Sequence, residues 1–493
     1  MKVLTGPAPV GGRARPAATF TVTALGAFMA SLDLSIVNVA FPALERSFPR
    51  VTPAGLAWVI TAYSIVFGSL LVTAGRSADR FGRRRLFFLG LAVFCAGSAL
   101  CGLAPTVPVL VAGRVVQALG AACLLPASLG LLIGAFPAER RSQVVALWGG
   151  VGALAVATGP SLGAGLISAG GWRLAFYVNL PVAVVAWLWG RRVLGESEVP
   201  VAPPAPDYLG VALVSLSLAC VVLGITEGPS WGWLSGRVLL AFAAFAGLGV
   251  AFVVRSARHP APVLDLGLFR ARTFAVANAA TLVYAMGFFA MLLGNILFLT
   301  GFWHYSILRA GLAVTPGPWV VAVVSGWAGR MAGRVGFRAV LVPGALCFAL
   351  GLGWYATRVG VHPAFLARWL PGTLITGLGI GLTFPVLSAA AVSSLPPQHL
   401  ALGGAVNQTA RQIGGAVGVA LLVVLLGGTG HVQHLSGFRH LWVYGSAMAL
   451  LSGAIGTLLA APRRVQAMAI EEVAPELPAV AAGLPVSLEP ELG

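Results

Sequence analysis

Apolar runs of about the length needed to cross a hydrocarbon layer dominate the chain, separated by short stretches where arginine, glycine and proline collect. A bilayer core about 30 Å thick takes roughly 20 residues of helix. On that measure the pattern predicts fourteen spans. Six come first, at 17–41, 55–74, 86–104, 107–134, 144–168 and 174–190. Two follow at 208–226 and 238–254, and six more at 274–299, 310–328, 339–356, 369–392, 403–426 and 441–461. The expected organisation is an all-α membrane protein with a six-span bundle over 17–194, two inserted spans over 207–255 and a second six-span bundle over 273–461. The acidic, proline-spotted tail over 462–493 reads as a solvated, disordered cytoplasmic segment.

Composition agrees and removes rivals. With 58% hydrophobic residues, 9% charged and a mean hydropathy of +0.91, a water-soluble enzyme is excluded. The 64 glycines and 32 prolines lie within apolar runs, which excludes disorder and collagen. Lys2 is the single lysine, so no phosphate-cradling P-loop exists and no cofactor or ATP site is expected. The five cysteines show no CxxC spacing and the histidines no ligand cluster, so neither disulfides nor a metal is expected.

The net charge of +17 is a matter of sidedness, not of a nucleic-acid surface. With both termini in the cytoplasm, twenty-one of the thirty-one Lys and Arg residues fall on the cytoplasmic side and eight on the other, as the orientation bias requires. The expected location is the cell (inner) membrane, with the first run kept as a span because it is too long for a signal peptide and lacks a small-residue cleavage site.

Gly75-Arg-Ser-Ala-Asp-Arg-Phe-Gly-Arg-Arg84 recurs as Gly329-Arg-Met-Ala-Gly-Arg-Val-Gly-Phe-Arg338, six of ten positions matching at an offset of 254, each after the second span of its block. Duplicated six-span halves are a common plan of secondary transporters. A weaker echo sets Arg368 opposite Arg114 and repeats Gly-x5-Pro at Gly120–Pro126 and Gly379–Pro385, with a gap between the two features.

Asp33 is the only carboxylate deep within a span, where ionisation costs roughly 2.5–3.5 kcal/mol. Arg114 lies at a similar depth, which suggests a carboxylate alternating between a paired, ionised state and a protonated one; the plainer alternative is a static ion pair pinning two helices. Gln117, one turn from Arg114, and Asn38 are candidates for the substrate cavity, together with Gln408 and Arg411 in the thirteenth span. Arg411 has three open fates: a water-filled cavity, an anionic substrate group, or snorkelling to the interface. Gly152, Ala155, Gly159 and Gly163 put small residues on one face of the fifth span, and Pro160 permits a bend. Gly75, Asp79, Arg80, Gly82, Arg83 and Arg84 form a candidate gating loop.

Five motifs in order resemble those of the major facilitator superfamily, specifically its fourteen-span drug:proton antiporter branch. Leu32-Asp-Leu-Ser-Ile-Val-Asn-Val-Ala-Phe-Pro42 resembles the first-span signature and Gly75–Arg84 the loop motif. Arg114-Val-Val-Gln-Ala-Leu-Gly120 is similar to the fourth-span motif, and Gly159-Pro-Ser-Leu-Gly163 to the antiporter motif, followed by Trp172-Arg173 and Asn179-Leu-Pro181. Ala118, Ala155 and Ala164 stand where the family has glycine. The resemblance implies two six-helix bundles plus two added helices, proton coupling at Asp33 and Arg114, and a monomer in the lipid bilayer exporting hydrophobic or amphipathic small molecules by alternating access. Transport of one defined metabolite is the runner-up. A membrane sensor or an intramembrane enzyme is a third class, disfavoured by the lack of a long non-membrane segment and of an HExxH pattern.

Overall fold

In the computed structural model the described residues are 16–195, 205–396, 399–426 and 434–459; the tail at 462–493 lies outside them. Among the described residues the regular structure is helical throughout. The first block comprises α1 (Pro16–Ser47), α2 (Pro53–Phe81), α3 (Arg83–Leu103), α4 (Val107–Ala135), α5 (Ala138–Gly170) and a sixth traverse broken into α6 (Leu174–Tyr177) and α7 (Asn179–Val193). The helices α8 (Tyr208–Trp231) and α9 (Gly236–Arg258) follow. The second block comprises α10 (Arg272–Leu297), a traverse of α11 (Ile307–Val314) and α12 (Pro316–Val335), α13 (Phe337–Arg358), α14 (Leu370–Ser393), α15 (Leu400–Leu425) and α16 (Leu435–Gly456). Thirteen segments are long and apolar enough to cross a membrane, which makes this an integral membrane protein; α16, 22 residues long and carrying Arg439 and His440, stands beside them.

Two sequence expectations change. The segment read as a loop, Gly75–Arg84, is almost entirely helix: α2 continues through it and α3 begins at Arg83, leaving Gly82 alone outside a helix. Its φ of 99° lies where only glycine is unstrained, so a one-residue hinge reverses the chain. The second copy does the same at Gly336, with φ 93°, between α12 and α13. Both hinges are separated by the offset of the sequence repeat, which makes that repeat structural.

The second change concerns Arg368. Glycines allow α3 and α4 to pack backbone to backbone: a Cβ at Gly97 would lie 2.5 Å from the Gln117 nitrogen. In the second block α13 and α14 pack in the same way, a Cβ at Gly351 lying 2.8 Å from the Thr376 nitrogen. Gly97 and Gly351 differ by 254 positions but Gln117 and Thr376 by 259, because a π-helical segment, Phe365–Trp369, precedes α14. The position opposite Arg114 is therefore Thr373, and Arg368 is exposed at the head of α14.

The two blocks meet along α2 and α15, where Thr409 Oγ1 donates to the Gly68 carbonyl at 2.7 Å. They meet again where α11 packs on α5, with Gly311 seated against Ala164 and the Pro160 carbonyl. That second contact lies on the membrane face opposite the Gly82 hinge. Nearer the hinge face, Gly149 and Gly150 of α5 and Gly326, Gly329 and Gly333 of α12 face open space. The molecule is thus closed between α5 and α11 on the face opposite the Gly82 hinge. Helix α8 leans on α2 and α15 at their outer side, with α9 against α8.

Candidate functional site

Five helices of the first block bring polar side chains to one enclosed point. Asp33 of α1, Arg114 and Gln117 of α4, Ser98 of α3, Asn179 of α7 and Tyr63 of α2 are all buried, none more than 1% exposed. Arg114 Nη1 donates to Asp33 Oδ2 at 2.6 Å and to Gln117 Oε1 at 2.6 Å, while its Nε donates to the Val59 carbonyl at 3.0 Å. Gln117 Nε2 donates to Asp33 Oδ1 at 2.8 Å and to Ser98 Oγ at 2.7 Å. Asn179 Nδ2 reaches the same two acceptors at 3.2 and 3.0 Å. The Tyr63 ring lies flat beneath the guanidinium, its centroid 4.1 Å from Cζ.

The local sequence explains the convergence. Gly97 removes the side chain that would hold α4 away from α3, so Gln117 meets Ser98. The break between α6 and α7 at Val178 brings Asn179 to the start of a helix, pointing at Asp33. A buried ion pair offsets its desolvation only when further hydrogen bonds satisfy its remaining groups, and here both carboxylate oxygens and the Nε and Nη1 of Arg114 are bonded. Besides Asp33, Arg114 has the Val59 carbonyl, the Gln117 side-chain oxygen and the Tyr63 face as partners.

Of the expected residues, Asp33, Arg114 and Gln117 come together. Gln117 sits inside this charge network and not against open space. Asn38 stays on α1, donating from Nδ2 to the Leu34 carbonyl at 2.8 Å. In the second block Gln408 and Arg411 are half-buried on α15; the Arg411 guanidinium does not snorkel but turns onto α14, its Cζ 4.3 Å from the Phe384 ring centroid. Sequence reading quoted Asn179 within a motif and gave it no role, and it missed Ser98 and the contact of Tyr63 with Arg114. A lone serine or tyrosine in an apolar run carries no signal until the helices are packed.

The small face of α5 also finds its partner, which is α1. Gly159 abuts Ser35 so closely that no Cβ would fit, and Cβ atoms at Gly163 and Gly152 would lie 3.1 Å from Ile36 and 3.4 Å from Ser31. Ser35 Oγ donates to the Val156 carbonyl at 3.3 Å. The helix that carries Asp33 is therefore held by the α5 face whose other contact, through Pro160, is α11.

At the hinge, Arg83 bonds Asp79 Oδ1 through Nη2 at 2.9 Å and through Nε at 3.0 Å, and its Nη1 donates to the Gly130 carbonyl at 3.1 Å. The motif is thereby tied to the end of α4. Arg80 lies over Phe81 and Arg84 over Phe88, and a Cβ at Gly75 would meet Pro126 of α4 at 3.7 Å.

The sequence matches the Major Facilitator Superfamily profile over residues 23–418. The chain belongs to this superfamily. Among relatives of this superfamily member, a "Multidrug resistance protein B homolog" from Mycobacterium tuberculosis is 35% identical over 411 residues, covering 83% of this chain and 76% of the relative. A "Methylenomycin A resistance protein" from Streptomyces coelicolor is 31% identical over 472 residues, 94% of this chain and 97% of that one. The major facilitator fold is also that of the crystal structure of an auto-inhibited POT family peptide transporter, which superposes with a TM-score of 0.66 at 15% identity, covering 92% and 98% of the two chains. As a major facilitator, the protein is a transporter and not a catalytic enzyme.

Proposed function

We propose that this protein is a proton-coupled exporter of hydrophobic or amphipathic small molecules, of the fourteen-span drug:proton antiporter type. It works as a monomer in the cell membrane with both termini in the cytoplasm. The reading is supported by the resistance and export names of its relatives and by the lack of a P-loop lysine. The observation that carries it is the Asp33–Arg114 pair, enclosed at 0% and 1% exposure in a bundle with a second, independently bonded set of partners for the arginine.

In this cycle the state closed at α5–α11 holds Asp33 paired with Arg114, with the cavity between the blocks reached from the cytoplasmic side. Substrate enters there. Rocking of the blocks about α2 and α15 opens the other face, where protonation of Asp33 cancels its attraction to Arg114 and substrate leaves. The neutral acid then favours return, because its charge no longer adds to the cost of crossing an apolar interior. Small residues on α5 let α1 slide with little steric resistance, and the Gly82 and Gly336 hinges let paired helices move as units.

The test is export by full-length protein in vesicles with an imposed pH gradient, comparing wild type with Asp33→Asn. Gradient-dependent export should vanish in the variant while substrate binding persists. Undiminished gradient-driven export by the variant would contradict the assignment.

A further inference from the structure

Arg411 carries a charge and has no counter-ion among the described residues. Of the fourteen carboxylates in the sequence, Asp33 alone lies deep in a span, and it is bound to Arg114 on another helix. Among the described residues, Arg411 has no hydrogen-bond or ion-pair partner; its one polar interaction is with the face of the Phe384 ring. A half-buried guanidinium that meets only a ring face is satisfied in part, since that face supplies less than the paired hydrogen bonds of a carboxylate.

The surroundings of Arg411 have the shape of a binding face. At about 100° per residue, Gly404, Gln408, Arg411 and Gly415 share a narrow sector of α15. On one side of this sector Gly414 and Gly418 pack on α10; on the other, Thr409 and Gln412 pack on α2. The sector therefore looks between α10 and α2, away from α8. Below Arg411, Gly404 faces open space; above it, Gly415 meets the half-buried ring of Phe289. Behind the guanidinium stand Phe384, Phe288 and Tyr284, edge to face with centroids 5.0 to 5.2 Å apart. The face thus offers one unpaired cation, one amide at Gln408, an aromatic roof and an open floor.

We propose that this face of α15 is an anion-recognition subsite, selecting amphipathic organic anions whose carboxylate or sulfonate pairs with Arg411 while their apolar body lies against the α10 aromatics. That the occupant is transported cargo rests on the export reading above. A planar fork of N–H donors matches a carboxylate or sulfonate in two parallel hydrogen bonds, and the same charge repels organic cations. Export of a monoanion in exchange for an inward proton moves two charges in one direction, so such cargo would also be driven by an inside-negative membrane potential.

The test uses full-length protein in zwitterionic nanodiscs and three probes on one skeleton: pyrenebutyrate, its carboxamide and pyrenebutylamine, with empty nanodiscs as the partition control. The carboxylate should bind about tenfold tighter than the amide, and the amine weakest, as a charge-assisted pair implies. Arg411→Gln should bring the carboxylate to the amide's affinity and leave the amide unchanged; Arg411→Lys should retain part of the preference. Equal binding of acid and amide by wild type overturns the proposal, whether or not the variants fold, as does a preference that survives in Arg411→Gln. Tight carboxylate binding without gradient-driven movement across vesicles would refute the export reading and leave the subsite standing.

Discussion

Arg114 on α4 and Thr373 on α14 occupy matching places in two helix pairs built alike, yet one stands in a buried ion network and the other in a neutral pair. Arg114 bonds Asp33, Gln117 and the Val59 carbonyl, whereas Thr373 Oγ1 lies 2.7 Å from the Tyr355 hydroxyl. The polar centre between α10 and α15 is neutral as well: Asn407 donates to Asn278 Oδ1 at 3.2 Å and Thr281 Oγ1 at 2.9 Å. The glycine register that lets the helices touch is kept in both blocks, while among the described residues the deep ion pair lies in the first. Duplication supplied a frame, and a frame needs only small residues at the right interval. Charge needs a complete set of partners, and only one block has it.

That contrast is open to direct attack. The largest expected effect is that of Asp33→Asn, which leaves a buried guanidinium without its anion at a cost of up to about 3–5 kcal/mol and abolishes proton-coupled export. Thr373→Val, at the matched place, should cost about 1 kcal/mol and spare coupling. Thermal melting in detergent and gradient-driven export in vesicles read both, and equal loss of coupling in the two variants would erase the asymmetry.

Next in size is Gly159→Val. Its side chain has no room beside Ser35, so α1 must move off α5; export should fall by at least about tenfold, whereas Gly165→Val, which faces open space, should be tolerated. Asn179→Ala removes one donor from Asp33 and one from Ser98, a loss of about 1–3 kcal/mol.

The smallest effect separates the two hinges. Arg83→Gln breaks the contacts to Asp79 and to the Gly130 carbonyl and should slow transport several-fold. Its effect on melting should be small, since a half-exposed pair contributes no more than about 1 kcal/mol. Arg334→Gln, at the exposed counterpart of Arg80 and next to Gly333, which stands where the first copy has Asp79, should leave the rate unchanged.

Much of this was legible in the chain. Apolar run length located the thirteen apolar segments among the described residues to within several residues, and Asp33 and Arg114 stood out because a charge in an apolar run has few reasons to be there. The repeat was legible as a pattern, but its conformation was not: arginine and glycine look like a loop, and nothing local reveals that helices α2 and α12 run on to a single glycine. Arg368 misled for a related reason, since a constant offset ignores a π-helical insertion that only backbone hydrogen bonding reveals.

The sequence by itself determined that this chain crosses a membrane many times, that its halves are related, and which ions are buried, because hydrophobicity, spacing and the cost of a charge in hydrocarbon are properties of residues and their order. The tertiary structure alone decided which partners those ions have: that Asn179 and Ser98 complete the Asp33 site, that α5 holds α1, and that Arg411 turns inward without an anion. Those facts depend on where helices cross, and a crossing is fixed by glycines on one helix meeting bulk on another, far away in the chain.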